Sequence, residues 1–232
     1  MNFRNLSNLD AQMRGGLVVS CQPVEGGAMD DDATVVRIAC AAVAGGAHAL
    51  RLEGAGRVAR VAHMRAQLRV PIIGIIKRDF ADTPVRITPL VDDVAALAGA
   101  GADVIAVDAT ARPRPATVAA LLAAIRAHGA LAMADCASEA EAVAALALGF
   151  DVVGTTLSGY TGGPIPSAPD YALLTRLCGL APRVMAEGRF NTPTQVAEAI
   201  RCGAWAVTVG TAITRTEVVT GWFVDALKTA HE

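Results

Sequence analysis

The chain repeats one arrangement of apolar and polar positions: an Ala/Leu/Val-rich stretch, a glycine, then a short apolar run that ends in a polar or charged residue. It occurs at 45–54 (GGAHALRLEG), 99–110 (GAGADVIAVDAT), 148–159 (LGFDVVGTTLSG) and 202–212 (CGAWAVTVGTA). Further apolar runs lie at 16–22 (GLVVSCQ), 71–79 (PIIGIIKRD), 130–136 (ALAMADC) and 183–189 (RVMAEGR), giving eight candidate strands. The runs are apolar throughout rather than alternating, as in parallel strands covered on both sides. The equivalent glycines Gly46, Gly101, Gly149 and Gly203 are 55, 48 and 54 residues apart, and each interval holds two strand-plus-helix units. Units of about 25 to 28 residues suit a βα repeat, and eight of them predict a (β/α)₈ TIM barrel, whose usual size is about 250 residues.

Helix boundaries agree with that repeat. Ser138 with Glu141 and Thr192 with Gln195 have capping-box spacing, and Pro193 suits a first helical position. Thr88-Pro89 and Pro115 are expected to open helices near 89–98 and 115–127, with Gly129, Gly149 and Gly203 as stops. Asp30-Asp31-Asp32 is expected to cap the first barrel helix and lie in solvent, and Trp222-Phe223 to seal the last helix against the barrel. No linker or composition break divides the chain, so residues 1–232 are expected to form one domain.

Composition narrows the functional classes. Hydrophobic residues make up 53% of the chain, ample for a core. The 20 basic and 22 acidic residues leave a net charge of −2, which offers no overall field for a polyanion, so no nucleic-acid partner is expected. The longest uncharged stretch, Val152 to Pro169, is broken by glycines and prolines and cannot be a membrane helix. Met1 to Gly16 carries Arg4, Asp10 and Arg14 and has no apolar segment of the secretory kind, so a cytoplasmic protein is expected. Five scattered cysteines without a CxxC pair, and His48, His63, His128 and His231 without ligand spacing, predict reduced thiols and no metal site.

Barrel enzymes place their chemistry at the C-terminal ends of the strands. The residues closing the runs are Ser20 and Gln22, Arg51 and Glu53, Lys77, Asp108, Asp135, Thr155 and Thr156, Glu187 and Arg189, and Gly210 with Thr211. Lys77 is the most informative, because only Lys77 and Lys228 among the 20 basic residues are lysine. A lysine directly after IIGII points to an amine that can give up its proton, which guanidinium cannot do near neutral pH. Glu187 should project into the mouth. Strands 3 and 7 lie opposite one another in a ring of eight, so Lys77 and Glu187 address two faces of one substrate. The glycine-containing segments EGRFNTP and VGTAITR, with a short helix from Ala212, suit a phosphate monoester held by main-chain donors at Gly188, Gly210 and Thr211 and by Arg189 and Arg215. Asp108 and Asp135 fit either substrate hydroxyls or internal ion pairs. Thr155, Thr156 and Ser158 lack a histidine partner for nucleophilic catalysis.

In this order, GGLVVSCQ, IGIIKRDF followed by ITPL, DVIAVDATARPRP, GTTLSGYT, MAEGRFNTP and VTVGTAITR resemble the N-acetylmannosamine-6-phosphate 2-epimerase family, over about Gly15 to Arg215. The resemblance implies a cofactor-independent, phosphate-binding barrel that interconverts N-acetyl-D-mannosamine 6-phosphate and N-acetyl-D-glucosamine 6-phosphate in bacterial sialic acid breakdown. It places the catalytic lysine and glutamate on Lys77 and Glu187. The substrate contacts fall on Gln22, Arg51 and Asp135, and the phosphate arginine on Arg215. The chain departs from the family in having Thr216 and Thr220-Gly221 after AITR, where proline and a threonine-lysine pair are usual. On this reading Lys77, deprotonated by partial desolvation, exchanges the C2 proton while Glu187 acts from the other side in proton transfer or in ring opening; a one-lysine route, in which the enolate turns or a substrate hydroxyl relays the proton, stays open. A Schiff-base aldolase acting through Lys77 and a non-catalytic phosphosugar-binding barrel are the alternatives. A homodimer is expected, as barrels commonly dimerise.

Overall fold

The computed structural model describes residues 2–53 and 58–230; Gly54, at the end of the second apolar run, and His231 lie outside the described residues. The elements in chain order begin with α1 (Leu6–Met13), β1 (Gly16–Cys21), α2 (Asp32–Ala44), β2 (Ala49–Glu53), α3 (Ala59–Gln67) and β3 (Ile72–Ile75). They continue with α4 (Val91–Gly99), β4 (Val104–Asp108), α5 (Val118–Ala127), β5 (Leu131–Asp135), α6 (Glu139–Leu148) and β6 (Val152–Gly154). Then come α7 (Tyr171–Cys178), β7 (Val184–Ala186), α8 (Pro193–Arg201), β8 (Ala206–Val209), α9 (Thr211–Thr214) and α10 (Thr216–Thr229). The strands pair in parallel in the order β1 to β8, and β8 closes on β1, so the sheet is the expected (β/α)₈ barrel.

Although the strands are apolar on both faces over most of their length, the pleat divides their residues into two sets. Leu50, Leu52, Ile105, Val107 and Val153 point outward and pack beneath the helices. Val18, Ala49, Ile73, Ile75, Ala106, Met133, Met185 and Ala206 point inward and fill the barrel. Continued by twos, the inward rows arrive at Ser20 and Gln22, Arg51 and Glu53, Lys77, Asp108, Asp135, Thr156, Glu187, and Thr208 with Gly210. Alternation therefore selects which side chains near each strand end can enter the mouth.

The two capping boxes form as expected at Ser138/Glu141 and Thr192/Gln195, and Gly149 closes α6 at φ +101°. Other expectations need correction. The helix after β3 begins at Val91 rather than at Thr88-Pro89. Thr88 instead sits at φ +45°, its N–H donating to the Ile76 carbonyl at 2.6 Å and its Oγ1 accepting from the Ile76 N–H at 3.2 Å. With the Lys77–Ile87 bridge, these bonds fold the loop after β3 back beside Lys77. The next helix starts at Val118, capped by Thr117 rather than opened by Pro115. Asp31 caps α2 and is exposed as expected, but Asp30 and the half-exposed Asp32 ion-pair with the buried Arg60, and Asp30 is largely withdrawn from solvent. Trp222 and Phe223 do not seal the barrel: α10 has no buried residue, and Phe223 is 70% exposed. The sequence reading also omits α1, whose Leu9 and Met13 are fully buried among the inward-facing residues at the other end of the barrel.

Candidate active site

At the C-terminal ends of the strands the barrel opens into a cavity of about 610 Å³. Its walls include Gln22, Arg51, Lys77, Glu187, Gly188, Arg189, Gly210, Thr211 and Arg215. All the expected site residues except Asp135 therefore reach it.

Arg51 forms the floor. Only 1% exposed, it holds Asp135 through two bonds, Nη1 to Oδ1 at 3.2 Å and Nη2 to Oδ2 at 2.6 Å. Burial works against the guanidinium, but the charges of Asp135 and Glu187 outweigh that cost and hold it charged. Asp135 also accepts from Thr156 Oγ1 at 2.7 Å and is wholly enclosed. The direct substrate contact expected of Asp135 does not fit this position. Both its oxygens are engaged behind Arg51, so it orients the guanidinium.

Glu187 lies 3.2 Å from Arg51 Nη1, an ion-pair distance, yet its buried Oε2 lacks a hydrogen-bond partner. Burial pushes its carboxyl up to about 7, with Arg51 opposing and Asp135 adding to the shift. A carboxyl at that position can take or give a proton near neutral pH. Its backbone is fixed by Thr155, whose hydroxyl bonds both the Glu187 N–H and C=O.

Lys77 stands across the ring, its Nζ donating to Gln22 Oε1 at 2.6 Å and Glu53 Oε2 at 2.9 Å. The Lys77 side chain is partly withdrawn from solvent, keeping 22% of its exposure, and faces the Glu53 carboxylate. Gln22 is oriented by its own bond from Nε2 to Ser20 Oγ at 2.5 Å.

The two arginines of the expected phosphate end differ. Arg189 sits at φ +65°, donates to the Ala168 and Ser158 carbonyls at 2.7 and 2.5 Å, and stacks over Tyr160 at 5.2 Å. Its guanidinium thus clamps the long segment between β6 and α7. Arg215 donates through Nε to the Gln22 carbonyl at 2.9 Å while also lining the cavity. Between them the Gly210 backbone passes close to β1, where an added Cβ would lie 3.3 Å from Ser20 Cβ. Asp108 lines the cavity with its carboxylate already held by Arg112 and Arg114.

Sequence reasoning missed Thr208 and gave Glu53 no task. Thr208 is 3% exposed, lines the cavity, and leaves Oγ1 without a hydrogen-bond partner. Arg51 Nε is a further unpartnered buried atom. Buried polar groups are normally satisfied, so orphans gathered at one cavity mark where a polar ligand supplies the missing bonds. The signal for Thr208 was its position two residues before Gly210 on the same strand face.

A family model described as "Putative N-acetylmannosamine-6-phosphate epimerase" matches residues 35–229. The chain belongs to this family. A Klebsiella pneumoniae (strain 342) relative described as "Putative N-acetylmannosamine-6-phosphate 2-epimerase" is 57% identical over 227 residues, covering 97% of this chain and 96% of the relative. One from Salmonella paratyphi A, described as "Putative N-acetylmannosamine-6-phosphate 2-epimerase 2", is 57% identical over 93% of each chain. Among solved structures, the N-acetylmannosamine-6-phosphate 2-epimerase from Clostridium perfringens superposes with a TM-score of 0.88 at 38% identity, covering 94% of this chain and 96% of that one. Among the described residues no helix is long and apolar enough to cross a membrane.

Proposed function

We propose that this member of the epimerase family interconverts N-acetyl-D-mannosamine 6-phosphate and N-acetyl-D-glucosamine 6-phosphate by proton exchange at C2, the step expected in bacterial sialic acid breakdown. The observation that carries the reading is the placement of Lys77 and Glu187 on opposite strands of one cavity, with Arg51 on its floor. C2 of the open-chain sugar is α to the C1 aldehyde, so loss of its proton gives an enolate whose oxyanion a fixed cation stabilises. One of the pair removes the proton and the other returns one to the opposite face. Arg51, with its unpartnered Nε, and Gln22 hold the sugar oxygens; Asp135 keeps Arg51 in place. The phosphate is assigned to Arg215 and to the backbone at Gly188, Arg189, Gly210 and Thr211.

The test is polarimetry of the interconversion together with exchange of the C2 proton in deuterium oxide. Exchange without carbon–carbon cleavage supports the epimerase. A borohydride-trapped adduct on Lys77, with cleavage, would establish the aldolase instead.

A homodimer through α10 belongs to the same proposal. Trp222, Phe223, Val224 and Leu227 leave an apolar face in solvent, Trp222 also reaches the cavity, and a second copy would cover that face. Sedimentation of the wild-type chain and of Phe223→Asp tests it; a monomeric wild type overturns it.

A further inference from the structure

Glu53 closes β2, two residues beyond Arg51 on the same inward row, and the proposed reaction has so far given it no part. Its Oε2 and the amide oxygen of Gln22 are the two acceptors of Lys77 Nζ, at 2.9 and 2.6 Å. The other end of the Gln22 amide, Nε2, donates to Ser20 Oγ. Both groups therefore accept, and the amine donates to each.

Two N–H directions are thereby fixed, which leaves one tetrahedral position of Nζ for a ligand in the cavity that Lys77 lines. That position holds a lone pair in the amine and a hydrogen in the ammonium. The same geometry thus serves a base or an acid. The charge nearby decides which is present, since an adjacent carboxylate favours the cation.

The neighbouring charges do not remove this influence. Across the cavity Glu187 is paired with Arg51, and Asp108 with Arg112 and Arg114. From the loop after β3, Arg86 is paired with Asp79. Arg215 is bonded to the Gln22 carbonyl, and Arg189 to the carbonyls of the segment after β6. Glu53 has Lys77 as its ion-pair partner.

We infer that Glu53 is a positioning residue that aims the third bond of Lys77 Nζ at C2 and sets a negative charge beside it. The inference rests on the proposed assignment of Lys77 and Glu187 to the two faces of C2. For one epimer, the Glu187 carboxylate then takes the C2 proton and the C–H electron pair passes into the enolate. That pair returns to C2 as Lys77 delivers its proton to the opposite face. The enzyme is left with neutral Lys77 and protonated Glu187, the form that turns over the other epimer, and proton exchange with solvent restores the starting pair.

The test uses the full chain, its Glu53→Gln and Glu53→Asp variants, and lysine labelled with ¹³C at Cε. Because the chain has two lysines, Lys77 and Lys228, two side-chain signals appear, and Lys228→Arg assigns them. In Glu53→Gln, which keeps an acceptor in place but removes the charge, the Lys77 titration midpoint should fall. The alkaline limb of kcat/KM should fall with it in both directions of the reaction, while the acidic limb stays. Glu53→Asp should restore the midpoint but not kcat, because the shorter side chain misplaces the amine. An unmoved Lys77 midpoint in Glu53→Gln overturns the role of Glu53. A moved midpoint with a stationary alkaline limb overturns the assignment of Lys77, and this inference with it.

Discussion

Replacing Glu187 by glutamine should make the protein more stable as it makes the enzyme inactive. The Glu187 carboxyl is pushed from an ordinary value of 4.5 to about 7, first by burial, so the folded state holds a proton that the unfolded chain has released. The sign follows directly. Between these values the native state binds more protons than the unfolded one, so stability falls as pH rises from about 4.5 to about 7 and stays lowered above that. One pKa unit corresponds to about 1.4 kcal/mol, so the full shift costs on the order of 3 kcal/mol. Glutamine resembles the protonated acid and removes this penalty. For a chain of 232 residues each kcal/mol moves Tm by about 2 to 4 °C. Glu187→Gln should therefore melt up to about 6 to 12 °C above wild type near pH 8, with the gain vanishing towards about pH 5. Scanning calorimetry across this range, alongside C2 proton exchange reduced by at least about 10²-fold, is the assay. A Tm difference that does not change with pH would show that Glu187 is not the strained carboxyl described here, even if activity were lost.

Other substitutions separate the remaining parts of the site. Lys77→Arg should lower epimerisation and C2 exchange by at least about 10²-fold while binding changes much less, and near-normal exchange would refute proton transfer by Lys77. Arg215→Ala should reduce kcat/KM for the phosphorylated sugar by roughly 10- to 150-fold through loss of a charge-assisted bond. The slow turnover of the non-phosphorylated sugar should barely change; equal damage to both would mean that Arg215 acts through Gln22, whose carbonyl it holds. Thr208→Val should raise Tm, because it deletes an unsatisfied buried hydroxyl, and should lower kcat/KM by about 3- to 10-fold. Unchanged kinetics would remove Thr208 from the substrate's surroundings.

Much of the architecture was legible because a parallel barrel writes itself as repeated apolar runs, and glycines such as Gly149 mark helix ends that require a left-handed residue. The polar residues after each run located the mouth for the same reason. Which of them face it was harder to see, since strands apolar on both sides hide their alternation; Thr208 lay inside such a run. Partnership was harder still. Nothing local to Arg51 or Asp135 shows that the two are bonded to each other, nor that Glu53 shares Lys77 with Gln22, because those contacts cross strands far apart in sequence. Thr88 misled for a local reason: a threonine before proline resembles a helix start, yet its backbone was needed to tie the loop to Ile76.

The helix α1 gives the barrel a direction of traffic. Leu9 and Met13 are packed against the inward-facing residues, and Asp10 is gripped by Arg183 and by the Trp205 indole, so the end opposite the cavity is shut. A molecule that enters between Lys77 and Glu187 must leave by the door it came through. For a reaction with two different substrates this would be a queue. For two epimers of equal size, charge and phosphate handle it is no handicap, because departing product and arriving substrate use the same grips, and a single dead-end chamber serves both directions of a reversible interconversion.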